Sequence, residues 1–309
     1  MRRYARVGRW LYAVALVAAI TYAIASQRQA LAEAVQRLSA GALLGAFACL
    51  VVGLLLSQQS WRAVLAGFGS PLGVSSSARI FFVGQLGKYL PGSVWPILTQ
   101  MQLGKAVGVP RTRMGAATLV WLAFSVITGL AASMLVVPEL VGGAGGSYAA
   151  VAVVLLVASA VGLHPRVLNA VLDKALKLAR RPPLEEHLDG RGIARASLFL
   201  AGSWVLFGVQ LWLLVGELTT GDDLSLPTAI GAMALANTLG FLFILAPAGA
   251  GVREVVLVLA LSSVLSQGEA TGVAVVSRVL MTVADLLLGV SVLVRRPALP
   301  LVPDAESGG

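Results

Sequence analysis

The sequence runs to 309 residues, 58% of them hydrophobic and only 12% charged, with a mean hydropathy of +0.87 and a formal net charge of +9. Soluble domains carry about 25% charged residues, so this chain lacks the polar side chains to cover a water-facing surface and reads as a polytopic membrane protein. The positive charge is a topology signal, because cytoplasmic loops collect Lys and Arg. No basic run is interleaved with aromatics, which argues against a nucleic-acid partner.

In chain order, Arg2, Arg3, Arg6 and Arg9 precede an apolar run at 10–26. The run ends in Ala23-Ile24-Ala25, which resembles a signal-peptide cleavage site. Its near-spanning length favours a retained first helix. Further spans are predicted at 41–57, 114–137, 148–163, 196–216 and 270–294, which makes six. Two apolar regions, 78–107 and 229–266, do not read as plain spans. Pro91-Gly92 breaks the first and Pro247-Ala-Gly-Ala-Gly251 the second. The halves so made suit re-entrant hairpins, which enter the membrane, turn inside it and leave on the same side.

Loop charge sets a sidedness. The N-terminal arginines lie inside, and loop 27–40 then lies outside. Arg62, Arg79, Lys105, Arg111 and Arg113 place the flanks of the first broken region inside. Loop 138–147 carries only Glu139, and loop 217–226 carries Glu217, Asp222 and Asp223 without Lys or Arg, so both lie outside. Segment 164–195 holds seven Lys and Arg, from Arg166 to Arg195, and is the strongest inside signal. Arg295 and Arg296 return the C-terminus inside. The expected location is therefore the cell membrane, with both termini cytoplasmic. Two full spans at 229–246 and 252–266 would give the same end point, so charge leaves the second hairpin open.

A shift of about 157 residues lays 41–57 on 198–214, Pro91-Gly92 beside Pro247 and Gly249, and 114–137 on 271–294. Each half reads span, span, broken hairpin, span. An odd number of spans inverts the second copy, as in transporters whose paired broken segments mark the substrate site. The expected architecture is thus an all-α polytopic membrane protein of about six spanning helices plus two re-entrant helical hairpins in an inverted repeat. It forms one domain over 1–296, with half-repeats of about 1–140 and 141–296. Residues 297–309 read as a disordered tail and Gly142–Gly146 as a flexible turn. Segment 165–190 reads either as an amphipathic surface helix or as a solvated connector.

The charges inside apolar runs are the candidate site. A lysine in mid-membrane costs about 2.5–3.5 kcal/mol on insertion scales. Lys88, one turn before Pro91-Gly92, is expected to face a hydrated cavity or an anion, or else to snorkel to the surface. A helix starting near Ser93 would add positive potential from its N-terminus. Arg253 and Glu254 follow the second break where a helix restarts. Arg253 suits bidentate capture of an anion. Glu254 suits a countercharge to Arg253 or Lys88, or a proton carrier. Arg278 and Asp285 lie seven residues apart in the last span, on nearly one face, and either line a pathway or brace the hairpin. Under the shift they stand opposite Trp121 and Thr128. Asn237 and Thr238 are expected to satisfy freed backbone near the second bend; Gln100 and Gln102 have no assigned role. The single cysteine, Cys49, and the separated His164 and His187 make no ligand cluster, so neither cofactor nor metal is expected.

The run Gly87-Lys88-Tyr89-Leu90-Pro91-Gly92, then Pro247-Ala-Gly-Ala-Gly-Val-Arg253-Glu254 and Arg278, resembles the lysylphosphatidylglycerol synthase transmembrane region, also called the flippase-like domain family. The resemblance covers nearly the whole chain. It implies a membrane region that moves lipid between leaflets. In the best-known relatives that region is fused to a soluble aminoacyl-transfer domain, which has no counterpart here, so lipid aminoacylation is not implied. Family members often carry an acid in the span after the first hairpin, where this chain reads Thr118-Leu-Val-Trp121-Leu-Ala-Phe-Ser125. Two functions fit. One is a transporter of an anionic lipid or lipid-linked phosphate, with Lys88, Tyr89, Pro91, Gly92, Arg253, Glu254, Arg278 and Asp285 around the headgroup. The other is a membrane subunit that presents lipid to a cytoplasmic partner such as a glycosyltransferase. No nucleophile, base and orienting group form a set, so an enzyme is not expected.

Overall fold

The computed structural model describes residues 36–90, 94–140, 146–219, 224–243 and 247–294. The first apolar run, Pro91-Gly92, most of the turn at Gly142–Gly146 and the C-terminal tail lie outside them. Among the described residues all regular structure is helical: α1 (Ala40–Gly67), α2 (Val74–Gln85), α3 (Trp95–Lys105), α4 (Arg111–Ser133), α5 (Gly146–Gly162), α6 (Pro165–Leu178), α7 (Gly190–Gly216), α8 (Leu226–Leu242), α9 (Val252–Leu261) and α10 (Gln267–Val294). A single helical turn, Val137–Leu140, follows α4, and 3₁₀ turns at Leu86–Tyr89 and Pro247–Gly249 follow α2 and α8.

Among the described residues four helices, α1, α4, α7 and α10, are long and apolar enough to cross a membrane. They coincide with four of the predicted spans, and two outrun them. α1 continues from the apolar run through Ser57–Arg62 to Gly67, and α7 begins at Gly190 rather than Ala196. The early start follows from Asp189, whose carboxylate accepts the Gly192 N–H at 2.7 Å and caps the helix. The predicted span at 148–163 is α5, which meets α6 at a bend of 68°; the two together make a fifth candidate crossing. α6 turns Leu168, Leu172 and Leu176 inward and leaves Val171, Lys174, Lys177 and Leu178 exposed. His164 accepts the Arg166 N–H at its start, and His187 pairs with Asp173 at 3.0 Å, so both histidines serve local structure.

Both broken regions are broken. The first consists of α2, 12 residues long, and α3, 11 residues long, separated by the 3₁₀ turn and the Pro91-Gly92 stretch. The second consists of α8, with 17 residues, and α9, with 10. Ala248, Gly249 and Gly251 all have positive φ, a backbone that a helix cannot pass through. Gly249 also lies against α8, where a Cβ would stand 2.8 Å from the Gly240 Cα. The first break has a parallel close approach, since a Cβ on Gly87 would stand 3.0 Å from the backbone of Trp95 and Pro96.

α1 and α7, which the shift superposes, form the most extensive helix pair. α8 packs on α4 as α2 packs on α10; α9 packs on α8 and α10 as α3 packs on α2 and α4. The two 3₁₀ turns touch one another, with Leu86 and Tyr89 buried against Ala248 and Leu286. Small residues let the central helices approach: a Cβ on Gly53 of α1 would meet the Phe207 ring at 2.6 Å, and Ser203 donates to the Gly53 carbonyl at 2.9 Å. A buried aromatic cluster, in which Phe81 lies 5.1 Å from Trp121 and 5.8 Å from Trp61, fixes α2 between α4 and α1. Large apolar side chains such as Leu44, Leu119, Val154, Leu198 and Leu287 point outward, as a lipid-facing surface requires.

Candidate functional site

A cavity of about 180 Å³ lies between the halves where the two 3₁₀ turns meet. Its walls come from α1, α2, α3, α4, α7, α8, α9 and α10 and from the 3₁₀ turns at both breaks. Lys88, Arg253 and Arg278 all face it, so cations far apart in sequence share one chamber. Leu54, Phe81, Leu122, Leu200 and Phe207 supply apolar wall, and the exposed Phe241 and Phe243 stand at its edge.

Two ion pairs occupy part of this charge. Lys88 Nζ lies 2.6 Å from Asp285 Oδ2, and the Tyr89 hydroxyl donates to the same oxygen at 2.7 Å. Asp285 is 2% exposed, so it is a carboxylate taken out of solvent and compensated by one cation and one hydroxyl. Arg278 pairs with Glu254. The other oxygen of Glu254 accepts the Gly251 N–H at 2.7 Å, where a carboxylate favours the start of α9. Glu254 therefore forms its ion pair with Arg278 rather than with Lys88, and its charge also acts on the neighbouring Arg253. Arg278 and Asp285 share a helix but not a bond; each ties the last helix to a different break.

Arg253 is left over. It is 8% exposed, and its Nε and Nη2 have no hydrogen-bond partner. Leaving a buried donor unpaired costs about 1–3 kcal/mol, more when it is charged. Two neutral donors share its position. Trp121 and Gln100 line the same cavity, and their Nε1 and Nε2 are buried without a partner. Gln100 is oriented by Thr118, whose hydroxyl donates to Gln100 Oε1 at 2.5 Å, and its amide nitrogen lies against Gly84 of α2, where a Cβ would stand 2.9 Å from it. The Trp204 indole also lines the cavity, but its N–H is taken by Thr128 at 3.0 Å. Every unpartnered buried polar atom on the cavity wall, among the described residues, is thus an N–H donor. Asn237, by contrast, donates back to the Met233 carbonyl at 2.8 Å within its own helix.

The family's model, described as the lysylphosphatidylglycerol synthase TM region, matches residues 10–289. The chain belongs to the lysylphosphatidylglycerol synthase TM region family. The match spans both breaks, α1, α4 and α7 in full and α10 as far as Gly289, and it includes every residue of the candidate site. No curated protein matches the chain. Membership makes this a multi-pass membrane protein of the flippase-like type.

Of the candidate site residues, Lys88, Tyr89, Arg253, Glu254, Arg278 and Asp285 converge on the cavity or on a side chain that lines it. Pro91 and Gly92 lie outside the described residues. Reading the sequence gave no role to Gln100 and placed Trp121 only as the residue opposite Arg278. That opposition was the one available signal: where one half carries a cation, the other carries an indole donor in the same chamber.

Proposed function

We propose that the protein binds an anionic lipid or lipid-linked phosphate in the central cavity and moves it between leaflets, its headgroup in the cavity and its acyl chains in the bilayer. The observation that carries this reading is Arg253, a buried guanidinium on the cavity wall, two of whose nitrogens have no hydrogen-bond partner. A phosphate or carboxylate accepts two N–H bonds from such a fork, and the headgroup crosses without meeting hydrocarbon unpaired. Lys88, Tyr89, Glu254, Arg278 and Asp285 hold the frame around it.

In this reading the two breaks are the tips of re-entrant hairpins that enter from opposite faces, and the halves form an inverted repeat that exposes the cavity to each side in turn. Helix length supports it. At 1.5 Å per residue the 10-residue α9 covers about 15 Å, half of a hydrocarbon core of about 30 Å. The ties between loops support the proposed sidedness, with the basic 164–195 segment and both termini on the cytoplasmic face of the cell membrane. Arg37 pairs with Glu269 and Glu217 accepts the Ser39 N–H at the outer end, while Arg113 pairs with Glu185 at the inner end.

The test is movement of a fluorescent anionic phospholipid across proteoliposomes, read by dithionite quenching. The wild-type chain is expected to transfer label between leaflets, and Lys88→Ala and Arg253→Ala are each expected to slow it strongly. Transfer at the wild-type rate in both variants sinks the assignment of these residues. Lipid bound but never moved would favour presentation to a cytoplasmic partner enzyme.

A further inference from the structure

The basic segment between the halves carries a second surface, away from the cavity; none of its residues lines the chamber. At about 100° per residue, α6 divides into three sectors. Leu168, Leu172 and Leu176 are buried against the bundle. The next sector is apolar and bare: Val167 is 37% exposed, Val171 63% and Leu178 86%. The third is basic, with Arg166 and Lys177 exposed and Lys174 on the border between the two. Arg180 and Arg181 follow, both exposed. None of these five cations forms an ion pair among the described residues. The one acid in α6, Asp173, pairs instead with His187. Water would leave the second sector as bare apolar surface, and hydrocarbon would strand the charges of the third.

The depth of α6 is marked at both of its ends. α5, 17 residues and about 26 Å long, keeps Val154, Val157 and Val161 exposed and then meets α6 at a bend of 68°. The chain thus leaves its lipid-facing stretch and turns across the end of it. Beyond α6, the Leu188 backbone exchanges hydrogen bonds of 2.9 and 3.2 Å with the Asn169 side chain, and Asp189 then caps α7. The exposed face of α7 changes from Arg191 and Arg195 to Leu198 within one turn. A face that passes from cation to leucine in this way marks the headgroup level.

We propose that α6 is an interfacial helix that docks on an anionic lipid surface. Val167, Val171 and Leu178 enter the acyl boundary, while Arg166, Lys174, Lys177, Arg180 and Arg181 meet the phosphates. Under the proposed sidedness this surface is the cytoplasmic leaflet. The platform is fixed to the centre of the bundle, because Leu188, which holds Asn169, packs against Gly67 at the end of α1. It stands apart from the cavity and does not depend on lipid movement there.

The experiment places an environment-sensitive fluorophore on the full chain in nanodiscs of phosphatidylcholine mixed with phosphatidylglycerol. The single attachment sites are Val171→Cys, Leu178→Cys and Ala170→Cys, each with Cys49→Ala. Ala170 is exposed on the basic side and serves as the aqueous reference. Labels at 171 and 178 are expected to be quenched by nitroxides on the acyl chains and shielded from iodide, and the label at 170 the reverse. A nitroxide carried on phosphatidylglycerol is expected to quench the label at 178 several-fold more than the same amount carried on phosphatidylcholine, the effect of a local cluster of cations. Lys174→Gln, Lys177→Gln and Arg181→Gln together are expected to erase that difference and leave the acyl-chain contact. Arg253→Ala is expected to leave both signals unchanged, which separates this surface from the cavity. Labels at 171 and 178 as open to iodide as the label at 170 overturn the proposal and leave the face for a protein partner. Equal quenching by the two nitroxide lipids in the protein with its charges intact overturns it as well.

Discussion

Lys88 Nζ stands 2.6 Å from Asp285 Oδ2, so the break in the first half is pinned to the last helix of the second. The pair is asymmetric: the Asp285 side chain is 2% exposed and the Lys88 side chain 22%, on the cavity side. Removing Lys88 strands a carboxylate in the interior, with the Tyr89 hydroxyl as its one remaining hydrogen-bond partner among the described residues. Neutralising Asp285 frees a lysine that still reaches the chamber. Lys88→Met is therefore expected to cost about 3 kcal/mol, and Asp285→Asn, which keeps an acceptor for Tyr89, about 1 kcal/mol. The double variant is expected to be more stable than Lys88→Met alone. Thermal unfolding in detergent measures the order; Asp285→Asn proving the more damaging would reverse the argument.

Tyr89→Phe tests the same oxygen without touching a charge. The hydroxyl is buried and donates to Asp285 at 2.7 Å. A hydrogen bond to a charged group contributes about 1.5–3 kcal/mol, but Lys88 remains to compensate the carboxylate, so the expected loss lies at the low end. Binding of the fluorescent anionic phospholipid is expected to change less than stability does, because Tyr89 serves Asp285 rather than the free guanidinium. A large loss of binding with unchanged melting would place Tyr89 on the ligand instead.

Much of the architecture is legible in the sequence because membranes make it so. Apolar runs of spanning length become α1, α4, α7 and α10, and Pro-Gly interruptions become the two breaks. Lys88 and Arg253 stand out because charges rarely occur in such runs. Who pairs with whom does not show. Arg253 and Glu254 are adjacent, yet on a helix they point about 100° apart, and Glu254 turns to Arg278 on a helix 24 positions away. Asp285 finds Lys88 only because the last helix packs on α2 and its 3₁₀ turn. Trp121 and Gln100 were hidden for another reason. An indole in an apolar run signals packing, and its unpartnered N–H becomes visible only once the neighbours of its ring, Phe81 among them, are placed.

The glycines of the second break are not equivalent. Gly249 and Gly251 both have positive φ, at 69° and 85°. Alanine at either is expected to cost about 1–2 kcal/mol for the left-handed backbone. At Gly249 the added Cβ would also stand 2.8 Å from the Gly240 Cα, a backbone atom that cannot swing away, whereas at Gly251 nothing lies within 4 Å. Gly249→Ala is thus expected to lower the melting temperature clearly more than Gly251→Ala, and to impair lipid movement by shifting the break. Equal effects would mean that the contact with α8 relaxes readily.

The sidedness can be read with single cysteines, since Cys49 is the protein's only one and can be replaced by alanine. The Arg37–Glu269 pair and the bond from Ser39 N–H to Glu217 tie one end of the bundle, and the Arg113–Glu185 pair ties the other. Cysteines at Gln267 and Leu218 are expected to react with a membrane-impermeant maleimide from outside the cell, and one at Glu185 only after the membrane is opened. Ala250 decides the second break. If 229–266 is re-entrant, a cysteine there sits at a tip within the protein and reacts slowly from both sides. If the region is two full spans, Ala250 lies in a cytoplasmic loop and reacts as quickly as residue 185. Fast labelling with the kinetics of residue 185 would remove the second hairpin. Slow labelling that speeds up when anionic phospholipid is withdrawn would link the tip to the cavity, because Ala248 and Gly249 line the same chamber as Arg253.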